Sequence, residues 1–212
     1  MTLRQATTAD LDAIMTLEQR NFPTDAWSVE TMRAEVESSH NHYLVDDEGG
    51  ALIGYGGLRA LKGSADADIQ TIALDTDFRG QGRGRTLLRA LIAEAVARGA
   101  RELFLEVRAD NPVAEGLYVS EGFAELGRRP RYYQPDDVDA IVMRLDLRQW
   151  AARAAAVQDA PVREENSRIG GGISAEAPPN TESSSREGGA SSTTDAEIQH
   201  SQPTSLNQEE SA

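Results

Sequence analysis

The sequence predicts an α/β fold, a sheet with helices packed on both of its faces. Short apolar strand patterns alternate with amphipathic helical ones along residues 3–147. The run Ile69-Gln-Thr-Ile-Ala-Leu-Asp75 leads through Arg79-Gly-Gln-Gly-Arg-Gly84 into an apolar helix pattern, the order strand, turn, helix. Every Phe, Tyr and Trp lies between Phe22 and Trp150, so the material for a core is confined to one domain at residues 1–150 of the 212.

Taken in order, residues 3–6 read as a first strand. Thr8 can cap a helix running to Asn21, with Leu11, Ile14, Met15 and Leu17 as its buried stripe. Pro23 forbids continuation, and Trp27-Ser28 opens a second helix in which Val29, Met32 and Val36 recur at helical spacing. Residues 42–45 and 51–61 form a hairpin around Asp47-Glu-Gly-Gly50, where glycine supplies positive φ. Gly54, Gly56 and Gly57 inside the second strand mark a bulge or a closely approaching partner. After a loop at 62–67 comes the Ile69 strand. The helix at 84–98 buries Leu87, Leu88, Leu91, Ile92, Ala95 and Val96, and Gly99 stands at its left-handed C-terminus. Residues 102–108 form the next strand, Asn111-Pro112 opens a helix to Ser120 that Gly122 ends, and 123–128 and 140–147 supply the last strands.

Residues 151–212 pass from an Ala-rich start into Ser, Glu, Gly, Thr and Pro, a composition that cannot bury enough apolar area to offset chain entropy, so a disordered tail is expected there. Domain and tail are both acidic within a net charge of −14, which argues against strong nonspecific nucleic-acid binding. With no cysteine there is neither a disulfide framework nor a thiol nucleophile, in keeping with a reducing compartment. The N-terminus lacks a signal-peptide core and no run approaches the roughly 20 apolar residues of a membrane span, so a cytoplasmic protein without membrane association is expected.

Glycines at 80, 82 and 84 let several main-chain N–H groups converge on one phosphate, and the helix that follows adds its positive end. A Walker loop needs Lys and then Ser or Thr after its last glycine, whereas Gly84 is followed by Arg85 and Thr86. A dinucleotide loop needs a third glycine at 85, again Arg. A glycine turn without ligand is the plain alternative. The spacing Arg79-x-x-Gly82-x-Gly84 resembles the pyrophosphate-binding signature of the GNAT acetyltransferases, which use acetyl-coenzyme A. Such a fold also needs a strand free to pair with the amide-bearing pantetheine arm, and the main chain of Ile72, Ala73 and Leu74 is placed for it.

Acetyl transfer to an amine calls for a base, a polarised carbonyl and an acid for the leaving thiolate. Along Leu103-Phe-Leu-Glu-Val-Arg108, alternation puts Glu106 on one face with Phe104 and Arg108, where partial burial would raise its pKa toward a useful value; an ion pair with an arginine is the alternative reading. Tyr118, on the following helix, can donate a proton or simply pack. Asn111 can cap that helix or bind cofactor. The cluster Arg128-Arg-Pro-Arg131 reads as a solvated basic turn, with contact to an adenosine phosphate or RNA as the alternative.

Leu105-Glu-Val-Arg-Ala-Asp-Asn111, Leu117-Tyr118, Glu121-Gly-Phe123, Tyr132-Tyr133 and Asp139-Ala-Ile-Val-Met143, with the early Phe22-Pro23 and Trp27-Ser28, resemble the RimI-type ribosomal-protein-alanine N-acetyltransferases within GNAT over residues 2–147. The proline found in many relatives before the glycine loop is Thr76 here. The resemblance implies a mixed, mainly antiparallel sheet, with Glu106 as general base and Tyr118 as general acid. It also implies a cofactor site of Ile72, Ala73, Leu74, Arg79, Gly80, Gln81, Gly82, Arg83, Gly84, Arg85 and Asn111. Acetyl-CoA would be the cosubstrate and no metal is called for. The implied acceptor is a protein N-terminal α-amine, foremost the N-terminal alanine of a small-subunit ribosomal protein, with loops around Trp27, 62–67 and 132–137 choosing it. Lysine, polyamine or other small-amine acetylation, or acetyl-CoA binding without catalysis, are the alternatives. The oligomeric state is left open.

Overall fold

The computed structural model describes residues 1–158. Its elements are β1 (Thr2–Gln5), α1 (Leu11–Asn21), α2 (Val29–Glu37), β2 (Asn41–Glu48), β3 (Ala51–Arg59), β4 (Asp66–Leu74), α3 (Arg83–Ala97), β5 (Glu102–Arg108), α4 (Pro112–Glu121), β6 (Ala124–Tyr133), β7 (Val138–Asp146) and α5 (Leu147–Gln158). Helix α5 carries the ordered chain past the expected boundary at 150, and the rest of the expected tail, 159–212, lies outside the described residues. Among the described residues no helix is long and apolar enough to cross a membrane.

The seven strands form one sheet in the order β1-β2-β3-β4-β5-β7-β6, mixed and mainly antiparallel as the family resemblance implies. Only β4 and β5 run parallel. Alternation along each strand feeds two cores. Ile72 and Leu74 of β4 pack with Leu87, Leu88, Leu91 and Ile92 of α3, while Ala73 between them packs on the opposite face with Ile14, Trp27 and Met32 of the α1–α2 side. Helices therefore cover both faces.

Local chemistry sets the element ends. Thr7, one residue before the expected cap, precedes a 3-10 turn, and the Asp10 carboxylate accepts from its N–H at 2.8 Å and its hydroxyl at 3.0 Å. The Arg4 guanidinium, 2.7 Å away, holds Asp10 down to about 2. Ser28 caps α2 by accepting from the Thr31 N–H at 3.1 Å. The β2–β3 turn uses Gly49 and Gly50 at φ of 66° and 91°. Both expectations for the glycine triplet hold: the β3–β4 register shifts between Gly57 and Leu58, and a Cβ on Gly57 would lie 2.4 Å from the Tyr43 ring. The basic cluster 128–131 is a correction. It lies within β6, which runs on to Tyr133 instead of stopping at 128, and Pro130 is tolerated because this is an edge strand with a register shift at that place.

Glu18 of α1 is fully buried in the α1-side core. Its carboxylate accepts from the Trp27 N–H at 2.9 Å and from the Tyr55 hydroxyl, fastening the α1–α2 connection to β3. Burial pushes it up to about 7, the two hydrogen bonds opposing. A carboxyl raised in the folded state stabilises fully below its unfolded pKa near 4.5, and that contribution is lost as pH rises toward 7. Relative to Glu18→Gln, the wild-type unfolding free energy should therefore fall by on the order of 3 kcal/mol between those pH values, measured by urea titration at each. Gly57→Ala should lower stability by about 1–3 kcal/mol in the same assay, because the Tyr43 ring must move.

Candidate functional site

The turn after β4 is built to leave amides unpaired. Asp75 accepts from the Asp77 N–H at 3.1 Å and closes a 3-10 turn at Thr76–Phe78. Gly80 and Gly82 then adopt φ of 71° and 79°, and an added Cβ at either would meet nothing within 4 Å. The first N–H of α3 to find an acceptor is that of Thr86, which donates to the Gly82 carbonyl at 3.0 Å. Among the described residues the amides of 80–85 ahead of it have no backbone acceptor. They face a cavity of about 340 Å³ lined by Leu74, Gly80, Gly82, Gly84 and Arg85 on one side and Ala114, Gly116 and Leu117 of α4 on the other. An anion seated there would meet free N–H groups and the positive end of a 15-residue helix.

The α4 wall is absent from the sequence reading. Its available signal is Gly116, a helix-interior glycine whose added Cβ would meet nothing, beside Val113, a large apolar side chain left 43% exposed on the same wall.

The loop's long side chains act as braces. Arg79 donates to Asn21 Oδ1 at 2.6 Å and the Leu74 carbonyl at 3.5 Å, tying the loop to the end of α1. Arg83 donates to Asp46 Oδ2 at 2.9 Å, pairs with Glu48 and lies 5.2 Å over the Phe78 ring. Arg85 reaches Ser120 Oγ at 2.9 Å and pairs with Glu121, joining α3 to α4. Gln81 donates to the Asp77 carbonyl at 3.1 Å. The groups this loop leaves for an anion are thus main-chain ones, with Arg79 and Arg85 also lining the cavity.

Strands β4 and β5 part company beside the loop. Their ladder covers only Asp66–Glu102, Ala67–Leu103 and Asp68–Phe104. Ile72, Ala73 and Leu74 remain paired to Gly56, Tyr55 and Gly54 of β3, and among the described residues no strand pairs with their other edge. An extended ligand with amide groups could add there as a strand.

Glu106 and Tyr118 lie on opposite faces of the sheet. The strand alternation is as expected: Leu103, Leu105 and Val107 join the α3–α4 core, which places Glu106 on the α1–α2 face. Glu106 is ion-paired, Arg129 Nη1 lying 2.6 Å from its Oε1. Asp68, also on that face, is raised by burial, with Arg59 opposing and Glu106 adding to the rise. Burial and the Glu106 carboxylate push the Tyr132 phenol up to about 12. Tyr118 belongs to the other core, 2% exposed and edge-on to Phe123 at 5.7 Å between ring centres, and burial holds its phenol well above the usual value. Tyr133 feels both Glu106 and Tyr118, which links the two faces. Asn111 accepts from the Ala114 N–H at 3.0 Å, so its side-chain oxygen serves as the cap of α4.

Around Glu106 the α1–α2 connection meets the β6–β7 turn. Arg108 holds Asp110 at 3.0 Å and Asp136 at 3.1 Å and lies 5.1 Å over the Tyr133 ring. Asp25 faces them, raised by burial and by Asp136 and lowered by Arg108. Two of the three loops expected to choose the acceptor therefore come together. The third, at 62–67, packs by its Ala65 carbonyl against the Arg101 N–H at 2.6 Å.

Comparison with known proteins agrees with this geometry. The profile of the acetyltransferase (GNAT) family matches residues 11–123. The N-alpha-acetyltransferase RimI of Mycobacterium tuberculosis is 39% identical over 149 residues, 69% of this chain and 92% of that protein. The [ribosomal protein bS18]-alanine N-acetyltransferase of Escherichia coli K12 is 35% identical over 150 residues, 69% of this chain and 97% of that one. The crystal structure of the E. coli ribosomal-protein-S18-alanine N-acetyltransferase superposes with a TM-score of 0.63 at 34% identity, covering 69% of this chain and 93% of that one. A glycine turn with free amides beside a parted pair of strands, in a sequence this close to those enzymes, is that of an acyltransferase: the chain belongs to the GNAT acetyltransferase family, on its RimI-type branch.

Proposed function

We propose that this enzyme moves an acetyl group from acetyl-CoA to the N-terminal α-amine of a protein, foremost the N-terminal alanine of ribosomal protein S18. The observation that carries the reading is the gap between β4 and β5 beside a loop whose amides at 80–85 have no backbone acceptor, with Glu106 on one face of the sheet and Tyr118 on the other. The substrate named for the relatives at 35% and 36% identity, ribosomal protein bS18 alanine, supports the acceptor.

Acetyl-CoA supplies an activated acyl thioester. The amides of 80–85 would hold its pyrophosphate, and the free main-chain edge of Ile72, Ala73 and Leu74 its pantetheine arm. That edge also offers N–H groups to the oxygen on which charge develops during attack. On the α1–α2 face Glu106 takes a proton from the acceptor ammonium, whose reference pKa near 8 makes the transfer mild. From the other face the Tyr118 phenol, kept neutral by burial, donates a proton to the departing thiolate. The carboxylates Asp25, Asp68 and Asp136 near Glu106 suit a cationic peptide terminus.

Incubation with acetyl-CoA and peptides beginning Ala, Ser, Met or Gly, beside peptides carrying only lysine amines, tests the acceptor by mass spectrometry. Acetylation of the free α-amine, fastest on the S18 N-terminal sequence, is expected, and product only on lysine overturns the reading. Glu106→Gln should bind acetyl-CoA normally by calorimetry while kcat falls by about 10²–10⁴. Binding without turnover in the wild type as well would instead mark a noncatalytic binding protein. Gly116→Ala should raise stability by up to about 1 kcal/mol through helix propensity, yet weaken acetyl-CoA binding because its methyl enters the cavity.

A further inference from the structure

Glu106 does not face the acceptor side bare. Arg129 stands on the edge strand β6 and reaches across β7 to it, the guanidinium 2.6 Å from the carboxylate. The backbone delivers it there through a register shift between Arg129 and Tyr133, in which Arg131 takes φ of 51° and donates its N–H to Asp139 Oδ1 at 2.8 Å. The two partners are unequally enclosed, since the Glu106 side chain is 14% exposed and that of Arg129 50%. The arginine also lies 5.5 Å over the Tyr132 ring, an apolar shelf at the protein surface. A cation so exposed exchanges its carboxylate for water at little cost, whereas the enclosed carboxylate cannot readily do without a cation.

The charges facing Glu106 sharpen that asymmetry. Asp68 faces it from β4, Tyr132 and Tyr133 from β6, and Arg108 shares its strand. Arg108 is engaged by Asp110 and Asp136, and Arg59 acts on Asp68. Arg129 is therefore the cation in direct contact with Glu106 among the described ion pairs.

We propose that Arg129 is a placeholder for the acceptor: in the resting enzyme its guanidinium occupies the position at Glu106 that the incoming ammonium takes, and it swings over Tyr132 toward solvent when the acceptor binds. The exchange keeps the charge at Glu106 and Asp68 balanced throughout. Acceptors that arrive as cations are selected, because a neutral nucleophile displacing Arg129 would leave those carboxylates uncompensated. The inference rests on the reading of Glu106 as the acceptor-side carboxylate.

The experiment follows the Glu106 carboxyl by NMR in the full chain with ¹³C-labelled glutamate, its resonance assigned by its loss in Glu106→Gln, together with steady-state kinetics. In Arg129→Gln the Glu106 resonance should change at fixed pH, and Arg129→Lys should return it toward the wild-type position. The acceptor KM of Arg129→Gln should fall about 3- to 10-fold, and Arg129→Lys should raise it again. In the wild type a saturating acceptor peptide should change an Arg129 Nε resonance. A KM that rises, or a Glu106 resonance that ignores Arg129, overturns the placeholder. Full turnover by Glu106→Gln would instead overturn the base assignment, a failure visible without any arginine variant.

Discussion

Strand β4 shares its parallel ladder with β5 only from Asp66 to Asp68, and the rest of the site is arranged around that short contact. The reason lies on the other side of β4. Its pairing with β3 slips between Gly57 and Leu58, opposite Thr71 and Ile69, so that Gln70 is left over. A bulge of this kind bends its strand and increases the local twist. β4 follows β3 through the bend, while β5 stays in register with β7 along its whole length, from Glu102 to Arg108. Gly57 makes the bend possible, because a side chain there would run into the Tyr43 ring. The sheet thus opens without losing either core.

An opening in a sheet is a liability unless its margins are stiff, and the charged side chains supply the stiffness. Arg79 fixes the glycine loop to α1, Arg83 fixes it to β2, and Arg85 with Arg89 fixes α3 to Glu121 at the end of α4. Asp46, completely buried, shows how firm the Arg83 brace is, since a carboxylate in that position is tolerable only against a cation. Cationic residues around a phosphate loop invite the interpretation that they hold phosphate. Here they hold the loop, and the amides are what remain for a ligand.

This division explains which parts of the molecule are legible in the sequence. Helix α3 is legible because its apolar pairs repeat over four turns, and the glycine loop because αL glycines and a following helix leave a spaced pattern. The β5 alternation places Glu106 on the correct face from residue types alone. What escapes is whatever depends on two distant segments meeting. Gly116 reads as an indifferent helix residue until α4 is laid against the loop. Arg129 reads as part of a basic turn because Pro130 and three arginines suggest one, whereas an edge strand with a register shift accommodates the same residues and turns one of them inward. The family resemblance supplies the roles of Glu106 and Tyr118, and the residue types allow an arginine pair for the first and packing for the second, but nothing local names Arg129 as the partner.

The two faces of the opened sheet then make opposite electrostatic demands. On the α3–α4 face the helix end and free amides of the loop favour negative charge. On the α1–α2 face Glu106 acts on Asp68, and Asp136 acts on Asp25, carboxylates that favour positive charge. Had both sets of groups shared one face, each would have neutralised the other and neither ligand would be attracted. The gap between β4 and β5 lies between these two demands. Tyr118 belongs to the α3–α4 side and Glu106 to the α1–α2 side, so under the proposed roles the proton donor would lie with the donor of the acyl group and the proton acceptor with the amine. The geometry that separates the charges would then also sort the acid from the base.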